Sequence, residues 1–269
     1  MGGDDVLSAL GSLTNALFLI ASVYIYIALL RQINRRDREV LATEPEFGVA
    51  EVALATFLIG VFGFSSLGAS SVQIVRLRTS DLILNAVVSI GIVLFVVAFL
   101  KLRRFDITEL TGLAKLSFAR TFITGLVLLI FAYPLIIFAD WLTARMLGSG
   151  SSRQGIIELF SGSQSMEQRI IIILLATVVA PIAEEFIFRF FLYGVIRRYF
   201  GRSIGVIVSA LLFAAVHAHL PSFAPLFVLG ACFTLAYEWS GSLLVSMTMH
   251  AIFNAITLLA LAFPGTLQP

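Results

Sequence analysis

Cysteine is nearly missing from this 269-residue chain, and charge is scarce. The single cysteine, Cys232, excludes an intrachain disulfide, and its place within an apolar run marks a buried apolar residue rather than a redox centre. Charged residues make up 13% of the chain, and its net charge is only +2. That charge is too small, and too concentrated at the edges of apolar runs, to suggest a nucleic-acid partner; the basic loops read as anchors to anionic lipid head groups. The alternation a transmembrane β-barrel needs is absent, and so is any internal repeat at a fixed period.

What the chain holds in abundance is apolar surface. Hydrophobic residues account for 59% of it and include 24 phenylalanines, a mixture outside that of soluble domains. The apolar residues gather in runs of about 18 or more, each long enough to cross about 30 Å of hydrocarbon as a helix. The expected fold class is therefore all-α, a polytopic integral membrane protein with about eight transmembrane helices. Spans are expected near 10–30, 49–70, 82–100, 121–142, 168–196, 203–219, 222–238 and 242–262, the second and the short seventh carrying the weakest signals.

Lys and Arg in the loops set the orientation. One alternating set of loops carries twelve of them and the other five; the richer set is expected in the cytoplasm, with both termini on the other side of the cell membrane. The first apolar stretch runs directly into RQINRRDR and reads as a retained span rather than a cleaved signal. No acylation or prenylation signal is expected at either end. The one long hydrophilic segment, 143–169, reads as a connector, with a short interfacial helix expected at GIIELF.

Against this background AEEFIFR, residues 183–189, is out of place. Each charged side chain at the centre of a span costs about 2.5–3.5 kcal/mol unless it is paired or hydrated. Glu185 and Arg189 lie four apart on one helix face and can pair, whereas Glu184 points about 100° away and needs a partner from another helix. A structural polar network and a proton pathway are the alternatives to a catalytic site at this point. Later spans supply His217 and His250, the latter on one face with Ser246 and Asn254 at spacing four, a polar stripe that must face protein. His219 lies on a different face, next to the Pro221 loop, and reads as a boundary residue. Carboxylate, two imidazoles and a carboxamide over three spans form an inventory for the attack of water on an amide. HExxH, GxSG and GxGD motifs are all absent.

Three short motifs give these residues a family likeness. EEFIFR (Glu184 to Arg189), FAAVH (Phe213 to His217) and HAIFN (His250 to Asn254) resemble the EExxxR, FxxxH and HxxxN signatures of the CAAX-protease and bacteriocin-processing family, which includes the type II CAAX prenyl endopeptidases. The resemblance implies an intramembrane endopeptidase of the glutamate type, with residues 166–269 as a protease-like core of spans five to eight. Residues 1–165, spans one to four and the hydrophilic loop, match nothing beyond hydropathy. By the resemblance Glu184 is the general base acting on water with His217, His250 and Asn254 form the oxyanion hole, and Glu185 and Arg189 orient the site. No cofactor is expected. The metalloprotease alternative takes Glu184, His217 and His250 as a three-ligand zinc site. The implied partners are membrane lipids and a peptide or protein substrate, lipid-modified in one branch of the family although no residue here calls for a prenyl group. A noncatalytic scaffold or immunity-type protein of the same family, and a proton-coupled transporter, are the alternative functions. Helix arithmetic places Glu184 and His250 roughly 10 Å into the core but His217 nearer 20 Å, a gap that tilt or a later start of the sixth span would have to close.

Overall fold

The computed structural model describes residues 3–36, 47–69, 79–148, 160, 162–163 and 165–263. The described residues contain no strand. Seven helices are long and apolar enough to cross a membrane, and one of these, Met166–Val216, runs for 51 residues. A straight helix of that length would span roughly 77 Å, more than twice the hydrocarbon thickness. It breaks at Gly201, whose φ of 81° and ψ of 168° no helix allows; glycine alone adopts that pair without a Cβ clash. The run is thus two crossings, and the chain crosses about eight times, as the sequence suggests.

In chain order the helices are α1 (Gly3–Arg36), α2 (Val49–Ala69), α3 (Thr79–Leu102), the short α4 (Ile107–Thr111) and α5 (Phe118–Leu147). The 51-residue run follows as α6 (Met166–Leu174), a π-helical stretch Leu175–Val179, α7 (Ala180–Glu185), a second π-helical stretch Phe186–Leu192 and α8 (Tyr193–Val216). The chain then closes with α9 (Leu220–Ser240) and α10 (Leu243–Ala262). The weak second and seventh spans are both present. Several helices outrun their apolar stretch: α1 and α5 extend to Arg36 and Leu147 because the polar ends of a helix still make backbone hydrogen bonds outside the hydrocarbon. The interfacial helix expected at GIIELF falls almost wholly outside the described residues.

The core is a phenylalanine mass. Phe47, Phe190, Phe191, Phe213 and Phe233 are each at most 2% exposed, and Phe47 meets Phe105, Phe190 and Phe191 edge to face at 5.4–6.2 Å between ring centroids. This core gathers residues from α1, α2, α3, α5 and every later span. Cys232 is buried in it, as expected for an apolar role. Helix α9 is the central element: 56% of its apolar window is buried, against 11% for α3, which lies at the periphery.

Polar bonds tie one end of the bundle together. Glu238, near the end of α9, accepts from Tyr193 Oη at 2.7 Å, from Arg197 Nη1 at 2.9 Å and from Arg202 Nε at 2.9 Å. Arg202 also donates to Asn34 of α1 at 3.1 Å. Trp239 Nε1 donates to Gln32 at 2.8 Å, and Arg36 donates to the Trp239 carbonyl at 2.7 Å. Beside them the fully buried Glu51 pairs with Arg103 at 3.0 Å. These bonds brace the Gly201 break from both sides and fix the angle between the fifth and sixth crossings.

Candidate active site

The site begins with an irregular helix. Pro181 has no N–H, so the carbonyl five residues back, Ala176 O in the first π-helical stretch, cannot be paired by the usual donor. Asn254 of α10 supplies one: its Nδ2 donates to Ala176 O at 2.8 Å. One strand of the polar stripe on α10 is thereby locked to the widened turn that precedes Glu184. The stripe itself faces protein: Ser246 is fully buried and His250 is 3% exposed.

Beyond Pro181 come the charges. Glu185 and Arg189 pair at 3.1 Å, both side chains fully buried, as their spacing of four requires. The guanidinium is boxed by rings, with its carbon 4.0 Å from the Phe213 centroid, 5.2 Å from Phe233 and 6.0 Å from Phe188, so cation–π attraction replaces part of its lost hydration. Its Nη2 also reaches Gly230 O at 3.5 Å. Gly230 eases this approach, because a Cβ there would lie 3.4 Å from Arg189 Nη2, as well as 3.1 Å from Phe213 Cδ1 and 3.3 Å from Ala210 Cα.

The same carboxylate orients His250. Glu185 Oε1 accepts from His250 Nδ1 at 2.9 Å, which fixes the proton on that nitrogen and turns Nε2 the other way. The ring is clamped between Phe233, stacked at 5.2 Å, and the edge of Phe213 at 5.8 Å. His250 Nε2 faces Glu184 Oε2 at 3.9 Å, past hydrogen-bonding length. Glu184 thus finds its neighbour on another helix, as its unpaired face demands. Its Oε2 has no hydrogen-bond partner among the described residues, while its side chain is 29% exposed and lines a cavity of about 220 Å³ between α3 and the fifth span.

His217 lies off this cluster. The sixth span starts no later than its apolar run suggests; it begins just past the Gly201 break and ends at Val216, leaving His217 as the exposed C-cap of α8. The next residue, Ala218, has a left-handed φ of 48°, a costly conformation for alanine that pins the turn. His217 Nδ1 is 2.7 Å from the Phe213 carbonyl, which accepts from it and leaves Nε2 facing away as an acceptor. Its ring meets Phe213 at 4.9 Å. The two imidazoles therefore flank one phenyl ring, and among the described residues no hydrogen bond or ion pair joins His217 to Glu184. His219 is the boundary residue, 2.6 Å from Ser222 Oγ at the start of α9.

As placed, Glu184, His217 and His250 do not form a metal donor set: among the described residues no three His, Cys, Asp or Glu side chains gather closely enough to hold an ion. Two features of the site escape a motif search. Asp81, Asn85 and Ser89 of α3 share the cavity wall with Glu184, and they do have a signal, a polar residue every fourth position along an apolar helix. The Glu185–His250 bond has none, because it depends on the register of the fifth span against the eighth.

The arrangement is that of a polytopic membrane protein with an acid–imidazole cluster held between its fifth and eighth crossings. Residues 166–256 match the family described as type II CAAX prenyl endopeptidase Rce1-like. Over 95 residues the chain is 28% identical to the membrane-embedded CAAX protease MroQ of Staphylococcus aureus (strain USA300), covering 33% of this chain and 38% of that protein. Over 88 residues it is 35% identical to the uncharacterized protein YpbD of Bacillus subtilis (strain 168), covering 31% and 42%. The chain thus spans about two-fifths of the length of the curated relatives it matches. No solved structure matches it. This segment, which holds every residue of the acid–imidazole cluster, is Rce1-like, in keeping with the three motifs.

Proposed function

We propose that the protein is an intramembrane endopeptidase that hydrolyses a peptide bond with water activated by Glu184, without a catalytic metal. The observation that carries this reading is the placement of Glu184: a carboxylate open to a cavity, with one oxygen turned toward an imidazole that a second, buried carboxylate orients. Glu184 takes a proton from water as the oxygen attacks the carbonyl carbon. The motifs assign the water's other hydrogen to His217, whose Nε2 is left as an acceptor although its turn stands off the cluster. The second N–H of Asn254, and His250 when Nε2 carries a proton, donate to the oxyanion as it forms. On collapse the C–N bond breaks and Glu184 returns its proton to the leaving amine.

The substrate is a peptide or protein segment that enters from the membrane. A transport reading needs a polar path that continues past this cluster, and Arg189 ends it inside a box of phenylalanines. In our orientation the Glu238 end of the bundle is cytoplasmic and the His217 turn lies at the other face. The test is cleavage of a peptide library by protein reconstituted in liposomes. Glu184→Gln is expected to lower the rate by about 10²-fold or more with the folded fraction unchanged, and His217→Ala by less. Wild-type activity in the Glu184 variant would rule the mechanism out.

A further inference from the structure

The cavity beside Glu184 has a wall outside the Rce1-like segment. Asp81, Asn85 and Ser89 of α3 stand on it, opposite the small side chains of Ala176, Ala180 and Ala183. A spacing of four puts the three polar residues on one face of a helix whose remaining surface is apolar and exposed, as at Ile83, Leu84 and Val87. The groove runs from Asp81 and Ile172 to Glu184, which stands about 18 Å further along the fifth span than Ile172. The amide of Asn85 and the hydroxyl of Ser89, facing hydrocarbon there, would be costly without a partner. Ser89 and Asn85 offer each other only a contact of 3.5 Å, at the limit of a hydrogen bond.

The spacing points to the partner. Successive polar groups on this face rise about 6 Å along α3. An extended peptide repeats its same-side backbone groups about every 6.6 Å. Asn85 and Ser89 can therefore bond alternate residues of a strand-like segment lying along α3, and the roughly 12 Å from Asp81 to Ser89 accommodates three to four such residues. With only 11% of its window buried, α3 is the least buried of the candidate spans and can yield to admit a chain.

We propose that this face of α3 is the water-filled entry groove and the backbone-binding wall for an extended peptide segment on its way to Glu184. The inference deepens the protease reading and rests on it for the nature of the occupant. In a Cys232→Ala background, single variants Asn85→Cys and Ser89→Cys are placed on the groove, and Val87→Cys on the opposite face of α3. Each is reconstituted in liposomes and exposed to a small charged methanethiosulfonate and to a glycine–serine octapeptide carrying a maleimide. Water-soluble reagents need a hydrated thiolate, so N85C and S89C should react at least ~100-fold faster than V87C. The octapeptide reagent should keep that preference. Rates at both groove positions no higher than at V87C would overturn the proposal, as would labelling by the small reagent with none by the octapeptide. The measurement needs no turnover: hydrolysis that persists in Glu184→Gln removes the catalytic reading and leaves these rates unchanged.

Discussion

Replacing Arg189 by methionine isolates the energetics of the buried pair. The guanidinium and Glu185 are both fully buried 3.1 Å apart, so the substitution leaves Glu185 buried without its cation, with only the His250 Nδ1–H bond to hold it. Removal of one partner from such a pair costs about 3–5 kcal/mol, partly offset because methionine fills some of the space among the three phenylalanine rings. Glu185→Gln in the same chain removes the stranded charge and keeps an oxygen to accept from His250 Nδ1. The double variant should therefore recover to within about 1.5 kcal/mol of wild type, since a well-packed apolar replacement for a buried pair is often neutral. The assay is reversible unfolding in mixed micelles, following the folded fraction of wild type, both single variants and the double variant. Arg189→Met as stable as wild type would refute the reasoning, and so would a double variant worse than the single one. A recovered fold with poor hydrolysis is the expected functional result, because the cluster's charge balance around His250 has changed.

Three further outcomes follow from particular contacts. Asn254→Leu strands Ala176 O beside Pro181 and should lower stability by about 1–3 kcal/mol, measured by the same unfolding assay, and lower hydrolysis further by removing an oxyanion donor. Glu238→Leu leaves Arg197, Arg202 and the Tyr193 hydroxyl without their shared acceptor, for an expected loss of about 1–3 kcal/mol; trypsin should then cut near the Gly201 break faster than in wild type. Gly230→Ala drives a methyl against Phe213 and Ala210 Cα and should cost about 1–3 kcal/mol through overpacking, seen as a lower unfolding midpoint.

The features legible in the sequence were those that depend on one helix at a time. Spacing alone predicts that Glu185 and Arg189 pair and that Ser246, His250 and Asn254 share a buried face, and apolar run length locates the spans. Contacts between helices depend on register and tilt, which periodicity does not encode. The Glu185–His250 bond and the convergence of three side chains on Glu238 belong to that class. The link between Pro181 and Asn254 is intermediate, for the missing donor is visible in the sequence while the carbonyl it orphans depends on the width of the turn. Asp81 and Asn85 look like isolated polar residues until α3 is laid against the fifth span. His217 stands off the cluster because Gly201 fixes where the sixth crossing begins and the helix ends at Val216.

The central claim is that Glu184 delivers water to a peptide bond, and the isotope of that water records it. Reconstituted wild-type protein is incubated with a peptide library in H₂¹⁸O, and the products are read by mass spectrometry. Hydrolysis by the proposed route places one ¹⁸O in each new C-terminal carboxyl group, and the labelled termini vanish in Glu184→Gln. The same labelled termini appearing at the wild-type rate in that variant would contradict the account.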